Sequence, residues 1–258
     1  MHYLNERRGN GMKELYDMIF KRKSVRRFDE ALKISNEEMK RIRNQMEKLI
    51  ALVEDIRVKF EIVERAETSS KRGEYCLLFY SEVKPHYLLN AGYLLEQLDL
   101  FLASMNIGVC WYALAKPKEL KLNDLEYVIM LAFGKSRLKD FRKDVSKCKR
   151  KNTEEIWNGK LIDDIANVVK YAPSACNTQP WRVICYNNNL SVYRNKLIKC
   201  FFSADKLPYY NSIDMGIFLC FLEITLGYNG YEFDRLLCPD EDSLSELIET
   251  ATYTIKLQ

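Results

Sequence analysis

Three residues near the start of the chain, Arg22, Ser24 and Arg26 in KRKSVRRF, stand at i, i+2 and i+4. On an extended segment that spacing turns all three to one side. Two guanidinium groups flanking a hydroxyl suit a doubly charged phosphate, which arginine grips with a planar fork that lysine lacks. KRKSVRR holds five cations in seven residues, so a solvated basic surface is the competing reading.

A second candidate is YAPSACNTQPW, residues 171–181. Pro173 pushes the residue before it out of the helical region and so ends a helix. Ser174, Ala175 and Cys176 are small enough for backbone to approach a flat ligand closely. Asn177 and Gln179 can hydrogen-bond either to the loop itself or to an amide-rich ring. Pro180 stiffens the exit, and Trp181 opens a strand with a large apolar anchor. Local chemistry leaves both readings open, a self-satisfied rigid loop or a ligand loop.

Other chemistry is sparse. Eight cysteines form no CxxC pair, and the histidines are only His2 and His86, so neither a zinc site nor a disulfide framework is indicated. His86 opens a long helix, where a cap or a surface role is expected. Asp99 and Glu223 read as helix-surface or inter-helix charges, and Tyr209 and Tyr210 as candidates to border a substrate pocket. Net charge is +4, from 40 Lys and Arg against 36 Asp and Glu, too little to make nucleic acid the main partner. The densest basic run, residues 135–151, contains nine Lys or Arg. The apolar share of 47% is ordinary for a globular chain, and no leader or spanning segment is expected. A reducing cytoplasm is the simplest compartment.

These candidates must be held by regular elements. The spacing predicts helices over 13–22, 36–54 (Ser35 and Glu38 forming a capping box), 86–105, 154–170 and 210–226. Strands are expected at 58–63, 75–81, 127–134 and in YEFDRLL, with a hairpin of RVICY and LSVYR across three asparagines. GVCWYALA reads as a strand or extended loop. The order helix, hairpin, glycine-bearing apolar helix, strand occurs twice. AGYLLEQLDLFLASMNIG aligns with DMGIFLCFLEITLGYNG, Gly92 over Gly216 and Asp99 over Glu223, a weak repeat with a period near 124. Halves at 1–152 and 153–258 are expected to form one compact unit.

The segment 173–181 closely resembles the APSxxNxQPW loop of the FMN-dependent nitroreductase family. KRKSVRRF resembles that family's RxSxRxF segment, NIGVCWYAL its LGLGTCWIGG strand, and YVIMLAFG the strand that ends in a glycine. CKRKN lies where the family has a basic segment facing the phosphate. In most members the APS loop precedes the CW strand. Here it follows, as in the branch called putative TM nitroreductase, where one chain mimics the usual homodimer.

The resemblance implies an α+β nitroreductase-like fold, with mixed β-sheets packed with helices and two pseudo-symmetric halves. It implies that Arg22, Ser24 and Arg26 hold the FMN phosphate and ribityl chain, with Lys149 and Arg150 as a second clamp. Pro173, Ser174, Ala175 and Asn177 would flank the flavin ring, as would Cys110 and Trp111. The backbone N–H groups of Tyr112 and Ala113 would donate to the reactive edge of the ring. The family often has glycine near 113 and 114, where this chain has Ala113 and Leu114. The implied activity is hydride transfer from NADH or NADPH to a small acceptor such as a nitroaromatic or a quinone. The alternatives are a flavin-binding redox sensor or carrier with little turnover, and a basic interaction protein. One site per chain implies a monomer, with a homodimer left open.

Overall fold

The computed structural model describes residues 12–159, 164–198, 200, 202–239 and 245–256. Their contacts divide the chain into two compact units. The first comprises Met1–Ile19, Leu88–Tyr93 and Lys147–Gln258, and the second Phe20–Tyr87 and Leu94–Ser146. The division is therefore not sequential: residues as far as Ile19 and six residues of one later helix are grouped with the last part of the chain.

Helix α1 (Tyr16–Lys21) is grouped with the first unit as far as Ile19; in the second unit its last two residues lead into the KRKSVRRF segment, and α2 spans Asn36–Met46. Ser35 and Glu38 make the expected capping box. The helix stops at Met46 rather than near 54 because Gln97 captures both backbone groups of Ile50, accepting from its N–H at 3.0 Å and donating to its carbonyl at 2.8 Å. Strands β1 (Val58–Glu64), β2 (Tyr75–Ser81), β3 (Ile107–Trp111), β4 (Lys121–Leu122) and β5 (Leu125–Lys135) form one sheet, ordered β1-β2-β5-β3, with β4 on β5. The near-continuous apolar run of β5 takes the central place such a run predicts. Cys76, Leu78, Tyr80, Cys110, Met130 and Ala132 bury one face of this sheet.

Helix α3 (Tyr87–Ser104) is buried along most of its length, as an apolar circumference requires. In the first unit follow α4 (Thr153–Ile156), β6 (Trp157–Gly159), α5 (Ile165–Val169), β7 (Trp181–Tyr186), β8 (Asn189–Asn195), α6 (Leu207–Tyr228), β9 (Glu232–Leu237) and β10 (Leu247–Lys256). The single helix expected over 154–170 is instead interrupted: Trp157–Gly159 pairs in parallel with Val183–Cys185, and residues 160–163 lie outside the described set. The sheet order is β6-β7-β8-β10-β9. The predicted β7–β8 hairpin is present, with Asn187 at φ 51° in its turn.

Within the first unit α3 and α6 approach until backbone meets backbone. A Cβ on Gly92 would collide with the carbonyl of Ile213, and one on Gly216 with the carbonyl of Leu89. Each glycine thus faces the residue three positions before the other. The reciprocity fits the alignment of Gly92 with Gly216. It describes the crossing and not the ancestry of the halves.

Candidate functional site

Arg22, at the end of α1, does not reach solvent: 2% of its surface is exposed. Its Nε donates to Asp99 Oδ2 at 2.8 Å and lies 3.5 Å from Glu96 Oε1. Trp111 Nε1 donates to the same Asp99 oxygen at 2.9 Å. Asp99 therefore ties the basic segment to the end of β3, and both carboxylates come from the buried side of α3. Burial works against the Arg22 charge, but Asp99 and Glu96 more than offset it and raise its pKa. Burial lifts Glu96 well above the ordinary carboxylate range, with Arg22 opposing.

Arg22 is engaged by carboxylates, where a phosphate was the expected partner. Of the two readings of Asp99, helix-surface or inter-helix charge, the second describes it: a buried tie from α3 to the segment that follows α1. Arg22, Ser24 and Arg26 also fail to share one environment. Ser24 is half-buried and bridges Val109 in parallel, Val25 is buried, and Arg26 is exposed. The Val25 N–H donates to the Val109 carbonyl at 2.9 Å, which pins the segment alongside β3 and leaves Ser24 and Arg26 as its outward polar groups.

On β3, Cys110 is 1% exposed and packs in the core, where Arg72 Nη1 donates to its Sγ at 3.1 Å. The Arg72 guanidinium also lies over the Tyr112 ring, 4.7 Å from its centre. Arg72 lies in SSKRG, a polar stretch between β1 and β2 whose composition carries no signal of a site. The Tyr112 N–H donates to the Met130 carbonyl at 3.0 Å, so the sheet takes the amide that had been expected to face the flavin. Ala113 is half-buried and Leu114 is 67% exposed.

The loop 173–181 belongs to the first unit. Trp181 is fully buried and stacks on Phe218 with ring centres 5.0 Å apart, as its anchor role predicts. Gln179 N–H donates to Ser174 Oγ at 2.9 Å. Gln179 Oε1 accepts from the Lys151 N–H at 2.8 Å, and Asn177 Nδ2 donates to the Lys149 carbonyl at 3.1 Å. Arg150 completes the brace, giving Nη1 to Asn177 Oδ1 at 2.9 Å and Nη2 to the Tyr171 carbonyl at 3.1 Å. The arginine expected on a phosphate thus holds the loop instead, and the Lys149 side chain is exposed. The self-satisfied reading accounts for Asn177 and Gln179. Pro173, Ser174 and Ala175 are half-buried, and Cys176 is exposed.

Beneath the loop, Asp214 Oδ1 accepts from the Ala175 N–H at 2.9 Å. Burial pushes this carboxyl up to about 8. The sequence did carry a signal for it, a lone acid between Ile213 and Met215 in an apolar helix. Glu223, further along α6, is also buried. It accepts from Tyr93 at 2.6 Å and Tyr253 at 2.9 Å and pairs with Arg235. His86 precedes α3 without a side-chain capping bond. Tyr210 stacks on Phe202, with ring centres 4.5 Å apart.

Among the described residues no helix is long and apolar enough to cross a membrane. No curated protein matches the chain. The crystal structure of a putative nitroreductase from Thermotoga maritima is similar to it with a TM-score of 0.60 and 20% identity, covering 93% of each chain. A putative NADH dehydrogenase/NAD(P)H nitroreductase from Bacteroides thetaiotaomicron aligns over 57% of this chain and 98% of its own, at 16% identity and a TM-score of 0.45. The first likeness shows the nitroreductase fold, an α+β arrangement of mixed sheets and helices. The family model described as putative TM nitroreductase matches residues 14–226, and the chain belongs to that family.

Proposed function

We propose that the chain is an FMN-dependent oxidoreductase that passes hydride from NADH or NADPH to a small organic acceptor such as a nitroaromatic or quinone-like compound. Membership of a nitroreductase family supports the oxidoreductase class, and the match over residues 14–226 is the observation that carries the reading.

The residues fit FMN in part. Ser24 and Arg26 offer a hydroxyl and a solvent-facing guanidinium two positions apart on a pinned extended segment, a donor set suited to a phosphate. Pro173, Ser174 and Ala175 offer a small-residue surface for a flat ring. Arg22 and Arg150 do not fit as direct phosphate ligands, because carboxylates and carbonyls already hold them.

Bound FMN would supply the hydride chemistry. The work left to the chain is positional. Arg22, through Asp99, fixes Trp111 and with it the end of β3. Ala113 N–H then replaces Tyr112 N–H as the proposed donor to the ring. Arg150, Gln179 and Asp214 fix the loop that carries Ser174 and Ala175. Lys149, exposed beside that loop, adds positive charge without a defined geometry. NADH or NADPH and the acceptor are taken to use the same face in turn, and a cytoplasmic, monomeric chain is the simplest setting.

The test is the visible spectrum of the purified chain after incubation with FMN, followed by turnover with NADH and NADPH. Bound flavin gives bands near roughly 370 and 450 nm, set by the cofactor's own electronics. A chain that stays colourless overturns the proposal. A yellow chain without turnover favours the sensor or carrier reading.

A further inference from the structure

The segment 173–179 contains three non-glycine residues in the left-handed region: Cys176 at φ 53°, Asn177 at φ 57° and Gln179 at φ 50°. Such backbone persists only where its surroundings over-determine it, and it gathers at ligand clamps and switches. Several fasteners hold it here. Besides the Arg150 brace and the Ser174–Gln179 bond, Thr178 Oγ1 donates to Asn211 Oδ1 at 3.3 Å and Ala175 N–H donates to Asp214 Oδ1 at 2.9 Å. Asn211 and Asp214 are three residues apart and so share one face of α6.

Asp214 differs from the other fasteners. It is 3% exposed, and its Oδ2 has no hydrogen-bond partner among the described residues. As a carboxylate it would be a buried charge without a counter-charge. Asparagine would offer Ala175 the same oxygen without that penalty. What aspartate adds is a proton that can leave.

The surroundings leave that proton in control. Burial is the main cause of the raised pKa of about 8, with the Ala175 amide and a Thr178 hydroxyl bond opposing it. Of the elements packed on α6, α5 carries no titratable side chain and the loop only the Cys176 thiol. β8 carries Tyr193 beside Arg194, while Tyr93 of α3, Arg235 of β9 and Tyr253 of β10 are engaged with Glu223. None of these is among the causes of the Asp214 shift.

We infer that Asp214 is a positioning residue, a latch whose neutral form keeps loop 173–179 closed and whose ionised form releases it, so that it sets how long FMN stays bound. The second half of this inference rests on the FMN reading; the first half does not. The sign follows from linkage. The closed loop holds the proton up to about pH 8, whereas an open loop with Asp214 in water gives it up at an ordinary carboxylate value. Opening therefore grows by up to about tenfold per pH unit across that window and levels off above it.

The experiment is amide hydrogen exchange of residues 173–179 in the full chain from pH 5 to 9, corrected for intrinsic rates, for the native sequence and Asp214→Asn. Protection that falls with pH in the native chain, levels near pH 8 and is flat in Asp214→Asn is the expected result. Parallel profiles in the two chains would overturn the latch. In a second arm, the FMN dissociation rate rises over the same window in the native chain only. Titrating protection with a pH-independent FMN release rate would overturn the link to the cofactor. Failure to bind FMN at any pH would sink the functional reading, while exchange still decides the latch.

Discussion

Gly92 and Gly216 sit at the crossing of two buried helices, each against the carbonyl of the residue three positions before the other. Neither position has room for a methyl group, because the opposing atoms are backbone and cannot swing aside. Gly92→Ala and Gly216→Ala are each expected to destabilise the chain by about 3 kcal/mol. Gly230→Ala is the control: it meets no atom within 4 Å and adds only the strain of φ +83°, about 1 kcal/mol. Urea unfolding of the three variants checks the ranking.

Arg22 and Arg26 lie in one basic segment but should separate cleanly. Arg22→Ala strands Asp99 and Glu96 in the interior and is expected to lower stability by about 3–5 kcal/mol. Arg26→Ala, on the surface, should leave stability within about 0.5 kcal/mol and weaken FMN retention. Equal melting temperatures for the two variants would contradict the buried ion pair.

Arg150→Ala removes the bonds to Asn177 and to the Tyr171 carbonyl. Local opening of the loop should become easier by about 1–2 kcal/mol, seen as faster proteolysis near Cys176. Arg150→Lys is expected to rescue little, since one ammonium cannot reproduce a fork reaching two acceptors.

For overall stability, Asp214 acts against the native chain at high pH. Its folded pKa of about 8 lies above the ordinary 3.8, so the proton favours the folded form. That contribution is complete below about pH 4 and is lost as pH rises to about 8. Asp214→Asn should therefore gain on the native chain across this range, by at most about 6 kcal/mol. Thermal melts at pH 5, 7 and 9 would show the gap widening and then holding.

Glu223 anchors two tyrosines and Arg235 away from water. Burial pushes the hydroxyls of Tyr93 and Tyr253 well above their usual range, and the Glu223 charge adds to it. Glu223→Gln leaves Arg235 without its counter-charge and is expected to destabilise by about 3–5 kcal/mol. Near-native unfolding of this variant would mean the network is dispensable.

Much of the fold was legible because the local signals agreed with one another. The capping box at Ser35, the unbroken run of β5 and the asparagine turn before β8 each state their element in a few residues. The family was legible in the loop at 173–181. Less visible was where side chains go once elements pack. Arg22 and Arg150 have the right chemistry for a phosphate, and only tertiary contacts reveal that carboxylates and carbonyls reach them first. The early end of α2 depends on Gln97, far along the chain. Asp99 with Trp111 and Glu223 with Arg235 share a separation of twelve residues. The alignment of Asp99 with Glu223 was visible in the sequence, but their partners and their burial became visible only in the structure.

The order of the first unit's sheet has a consequence for folding. β10 lies between β8 and β9, and among the described residues β9 pairs with β10 alone. Until β10 docks, β8 therefore keeps one open edge and β9 has no strand to join. Completion of the sheet waits on a single strand that must meet both neighbours at once.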